Sequence, residues 1–138
     1  MNAVLAARVS ATLFAVVALF QIALIVGAPW GSLTQGGSHP GSLPTSGRII
    51  AAVSAVLLIL MALVVLARVG QGPFANLPGT TVNIGLWITL TYAGLGVLMN
   101  LASRSAAERL LWAPFTAVLF ACLIVVAVGT RVPALSHD

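Results

Sequence analysis

The sequence predicts an all-α, polytopic membrane protein, a bundle of four transmembrane helices with a long first loop. Four apolar stretches, near Val9 to Val26, Ile49 to Ala67, Val82 to Ala102 and Leu110 to Val128, each match the roughly 20 helical residues that cross a hydrocarbon core about 30 Å thick. No Lys, Asp, Glu or His lies inside any of them. The composition agrees, because a chain that is 60% apolar and 6% charged, with a mean hydropathy of +1.13, lies outside the range of soluble domains. Hydrocarbon cannot hydrogen-bond bare backbone, so each stretch is expected to be helical. A closed barrel would need alternating strands, and that pattern is absent.

The 138 residues make one membrane domain, 1–138, with helices expected at about 4–27, 48–69, 81–102 and 106–130. The first helix stops at Gly27 and Pro29 and the second near Gly70, the usual glycine or proline terminators. A signal peptide is the rival interpretation of the first stretch, since Arg8 precedes it and Val26-Gly27-Ala28 imitates a cleavage site. Pro29 after that site disfavours cleavage, and the apolar run is too long for a signal core. The loop 28–47 holds five Gly, three Pro and four Ser from Pro29 to Gly47. A connection of that length is either mobile or folded over the helix ends.

The second connection, Gln71 to Thr81, is also rich in Gly and Pro, whereas the third is short and carries Ser105-Ala106-Ala107-Glu108. That spacing forms a capping box: the Ser105 hydroxyl satisfies a backbone N–H at the helix start, and Glu108 reaches back to the cap. Pro114, inside the fourth stretch, removes a donor and crowds the Leu110 carbonyl. Either the helix kinks there, or a short interfacial turn from Ala106 to Ala113 precedes the span. Small residues recur at intervals of four at Ala7, Ala11 and Ala15, at Ala51 and Ala55, and at Ala113, Ala117 and Ala121. Such rows let membrane helices approach closely.

The positive charges are six arginines, opposed only by Glu108 and Asp138. They sit at the ends of apolar runs and mark interfaces, and they do not form the clustered surface that nucleic acid requires. Arg8, Arg68 and Arg131 fall on one side, Arg48, Arg104 and Arg109 on the other. The positive-inside rule favours cytoplasmic termini by a narrow margin, and insertion in both orientations stays open.

Function is less legible than fold. Ionisable groups inside spans are the usual pointer to proton relays and ion paths, and the four stretches contain none. Small multidrug transporters carry a membrane-embedded glutamate in their first helix, where this chain has only Gln21, and the Gly-Ala-x-x-Arg-Tyr segment of fluoride channels is missing. Cys122 has no second Cys to pair with, and His39 and His137 are expected on opposite sides of the membrane. No catalytic constellation, cofactor site or metal site is expected.

Two groups of residues remain as candidates. Trp30, His39, Arg48, Arg104, Glu108, Arg109 and Trp112 share the face made by the first and third loops. Forked arginine donors beside flat aromatic surface suit a headgroup or partner, and the same set also fits an aromatic belt with snorkelling arginines. Gln21, Asn83, Thr89, Thr91 and Asn100 form an intramembrane polar cluster. They serve either as hydrogen-bonded glue between helices, with Gln21 bonding Asn100, or as a path for a solute. Thr89 and Thr91 can also bond back to their own helix.

The turn Gly27-Ala28-Pro29-Trp30-Gly31, then Gly36-Gly37, Leu43-Pro44 and Arg48, with Ser103-Arg104-Ser105 and Glu108-Arg109 before Trp112 and Pro114, resembles a group of small, uncharacterised bacterial four-helix membrane proteins. That resemblance implies topology and a bacterial inner (plasma) membrane, and no activity. The expected function is a non-enzymatic binding or accessory subunit that uses its first-loop and third-loop face. The alternative is a homo-oligomeric channel or carrier for a small neutral or anionic solute. Its partners would be the lipid bilayer and either another membrane protein or further copies of itself.

Overall fold

The computed structural model describes residues 1–130; Arg131, His137 and Asp138, used above for charge and side, lie outside them. Four helices follow in order, α1 (Ala3–Ile25), α2 (Thr45–Arg68), α3 (Gly79–Leu101) and α4 (Ala106–Gly129). Each is long and apolar enough to cross a membrane, and no strand occurs among the described residues. Each end lies within three residues of the expected position.

The helices run up and down around a square, each packing on its sequence neighbours, with α4 closing against α1. Short connections impose that order, as in other antiparallel bundles. The half of the bundle near the termini holds most of the buried apolar core. Phe14, Met61, Val65, Leu86, Leu119, Leu123 and Val126 interlock there, with Ala6, Ala7 and Ala127 allowing close approach. In lipid this packing works through dispersion and shape, because exposed leucine is already in an apolar solvent. Accordingly Leu19, Ile49, Val53, Ile88, Leu98 and Val118 point outward. The alanine rows divide: Ala7, Ala51, Ala55 and Ala113 are buried, while Ala15, Ala117 and Ala121 face out.

Polar ties close the same end. Arg68 donates through Nε to Thr130 Oγ1 (2.9 Å) and through a terminal nitrogen to the Thr130 carbonyl (2.7 Å). A cation at the end of α4 suits the negative pole of that helix. Arg8 reaches Gln71 in the second connection at 3.2 Å, and Asn2 caps α1 by accepting from the Leu5 N–H.

At the opposite end the first loop folds over the bundle. Two short 3-10 turns, Gly31–Leu33 and Gln35–Gly37, give it shape. The Gly31 N–H donates to the Gly41 carbonyl (2.8 Å), the Ser42 hydroxyl to the Gly27 carbonyl, and Arg48 Nε to the Leu43 carbonyl. Leu43 itself is buried with Leu24 and Ala51. Two glycines are sterically required. A Cβ on Gly31 would lie 2.0 Å from the His39 carbonyl oxygen, and one on Gly37, at φ +69°, would lie 2.8 Å from Ser105 Cβ.

Pro114 lies inside α4 without ending it, and the helix is continuous from Ala106. The interfacial turn is therefore part of the span. Replacing Gly31 by Ala is expected to lower stability by about 1–3 kcal/mol through overpacking. Gly96→Ala, where an added Cβ meets open space, should be neutral or stabilising by up to about 1 kcal/mol. Thermal denaturation of the three proteins in one detergent checks both.

Candidate functional site: a polar cavity under the loop lid

Beneath the folded loop, the centre of the bundle is hollow. A cavity of about 180 Å³ reaches from the loop down to Phe14, Leu58 and Leu119 at mid-bundle. Its walls come from all four helices. Val17, Phe20 and Gln21 line it from α1, Tyr92, Ala93, Gly96 and Asn100 from α3, Glu108, Trp112, Phe115 and Thr116 from α4, and Thr34 from the loop above.

The start of α4 explains how an acid comes to lie inside. Ser105 Oγ accepts from the Glu108 N–H at 3.2 Å, as the capping box requires. The carboxylate, however, does not reach back to the cap. Ser103 stands between them: its hydroxyl donates to Glu108 Oε2 and its oxygen accepts from the Ser105 N–H at 3.2 Å. Held by that relay, Glu108 is only 9% exposed. Its position near the helix N-terminus also favours negative charge there. Among the described residues no arginine bonds the carboxylate. Arg109 donates to the Ser103 carbonyl (2.9 Å) and is exposed, and Arg104 is exposed as well.

Aromatic rings form the next layer. Trp112 meets Phe20 edge-on (centroids 4.9 Å apart, planes at 68°) and Phe115 edge-on at 5.5 Å, while Trp30 stacks on the other side of the cluster against Phe20 at 5.9 Å. Such pairings add about 0.5–1.5 kcal/mol each beyond area burial. The Trp112 indole N–H then donates to the Leu33 carbonyl (2.7 Å), and Ser105 Oγ donates to the Ser32 carbonyl (2.8 Å). Both bonds pin the loop to α4 directly above the cavity.

The expected loop-face residues are thus dispersed by role. Glu108 and Trp112 turn into the cavity, Trp30 packs on its outer wall, and Arg48 holds Leu43. His39 is exposed and contacts Ser38 at 3.0 Å. The intramembrane polar group separates in the same way. Gln21 and Asn100 both line the cavity, yet Asn100 makes a long contact of 3.5 Å to Thr116 Oγ1 and none to Gln21. Thr89 is buried and bonds the Gly85 carbonyl of its own helix, whereas Asn83 and Thr91 are exposed on the outer surface of α3.

Spacing separates the inward residues from the others. Val82, Leu86, Thr89, Ala93, Gly96 and Asn100 follow one another by steps of four and three along α3, as do Glu108, Trp112, Phe115, Leu119, Cys122 and Val126 along α4. That rhythm keeps a single helix face toward the bundle axis. Glu108 and Asn100 belong to it, and Asn83 and Thr91 do not. The same rhythm could have placed Glu108 inside from sequence, along with Tyr92, Phe115 and Thr116 as candidates near the face it marks.

No family model, curated protein or solved structure matches the chain.

Trp112→Phe keeps an aromatic side chain, though a smaller one, and removes the donor to Leu33. The loss of about 1 kcal/mol should raise opening of the lid about fivefold. Hydrogen exchange of the Gly31 and Thr34 amides is the readout, with Ser38→Ala as a variant that should leave it unchanged.

Proposed function

We propose that the chain is a non-enzymatic integral protein of the bacterial inner membrane, with cytoplasmic termini, that binds a small molecule in the cavity beneath its first and third loops. The observation that carries this is the convergence of Glu108, Gln21 and Asn100 on one hollow site. Polar and ionisable groups inside a membrane bundle are costly, and they mark function by default. Apolar side chains filling the same space would be more stable.

The site has the character of a ligand pocket, a concave, largely aromatic wall with a few convergent polar groups. Its lid is built from the two loops expected to form the recognition face, so binding at that end of the molecule is retained while the contact surface moves inward. A channel or carrier has less support. Below the cavity lies an apolar core running from Phe14 to Val126, and Asn83 and Thr91 are exposed away from it.

Benzyl alcohol, a neutral probe of suitable size, should change tryptophan fluorescence saturably in protein carrying Trp87→Phe, which removes the exposed reporter on α3. Gly96→Leu places a side chain in the cavity and should abolish the saturable component. A purely linear response, equal in both proteins, would mean partition into lipid and would overturn the proposal.

A further inference from the structure

The charge and shape of the cavity point to a narrower class of ligand. We infer that it takes a small organic cation, an ammonium group on an apolar body about the size of one phenyl ring. This rests on the small-molecule binding proposed above and adds the sign of the ligand's charge.

The chain as a whole carries a net charge of +4, but none of the described arginines lines the cavity. At this end Arg48 is committed to the Leu43 carbonyl, Arg109 to the Ser103 carbonyl, and Arg104 is exposed. Among the described residues no Arg, Lys or His lines the hollow, and Glu108 is its only carboxylate. Only one oxygen of that carboxylate is used. Ser103 occupies Oε2, and no described residue donates to Oε1. A buried carboxylate is destabilising until a countercharge or further donors meet it, and an ammonium supplies both through a charge-assisted hydrogen bond.

The remaining walls suit the same ligand. Phe20, Trp112, Phe115 and Tyr92 surround the space, and aromatic faces attract cations electrostatically while accepting an apolar body. Asn100 directs its amide nitrogen to Thr116, which leaves its carbonyl oxygen as an acceptor. An anion would meet Glu108 with the same sign, and a neutral guest would leave Oε1 without a donor unless it carried one. Size sets the limit on the body. A dry cavity of about 150 Å³ accommodates benzene, so about 180 Å³ leaves room for one ring and a short polar head.

The test compares benzylammonium with benzyl alcohol, its neutral counterpart, in fluorescence titrations at pH 7 with the full chain in zwitterionic nanodiscs. Benzylammonium is expected to bind at least about tenfold more tightly, as one charge-assisted hydrogen bond implies. Glu108→Gln, which can still accept from Ser103, should remove that preference and bring the two affinities within about twofold of each other. Equal affinities in the unaltered protein, or a preference that survives Glu108→Gln, overturn the cation assignment while leaving small-molecule binding standing. Absence of saturable binding by either compound overturns both. The comparison within the unaltered protein decides the question even if the variant fails to fold.

Discussion

The bond from the Trp112 indole N–H to the Leu33 carbonyl joins the long first loop to the helical bundle. A loop rich in glycine and proline at the end of a membrane bundle has no intrinsic reason to lie flat. Here its carbonyls at Ser32 and Leu33 face donors on the first turns of α4, and its glycines let backbone come close enough to use them. With that contact made, Trp112 is oriented against Phe20 and Phe115, and the loop becomes the roof of a cavity.

The two halves of the bundle follow different physics. Toward the termini, small residues and apolar side chains are packed together, and among the described residues the side-chain links between segments there run through Arg68 and Arg8. Toward the loop, bulky rings occupy the walls and prevent the helices from closing. Polar side chains there are held by their own helices or by adjacent turns, as Glu108 is by Ser103 and Thr116 is by the Trp112 carbonyl. They are thereby held in place while keeping hydrogen-bonding capacity to spare, as Glu108 does at Oε1.

The fold was legible because it depends on a one-dimensional property. Whether a stretch of residues crosses a bilayer is decided by its length and mean hydropathy, and Val9 to Val26 or Ile49 to Ala67 meet that condition without reference to any neighbour. Helix stops at Gly27 and Gly70 and the Ser105 cap are equally local, since each concerns backbone groups within one turn. The site was legible only in part. Glu108 was visible as the partner of Ser105, yet Ser103, two residues before the cap, takes its carboxylate and lets it face inward. Gln21 and Asn100 were recognisable as polar residues of similar depth, but the bond between them gave way to one between neighbouring helices α3 and α4.

The sequence by itself therefore determined the number of helices, their ends and their apolar surfaces, because those follow from transfer energies and backbone hydrogen bonding within each segment. Tertiary structure alone decided which polar residues meet. Rotation about each helix axis and the docking of the loop are set by contacts between segments far apart in the chain, such as Trp112 with Leu33 and Ser105 with Ser32. Those contacts dock the loop over the cavity that Glu108 and Trp112 line.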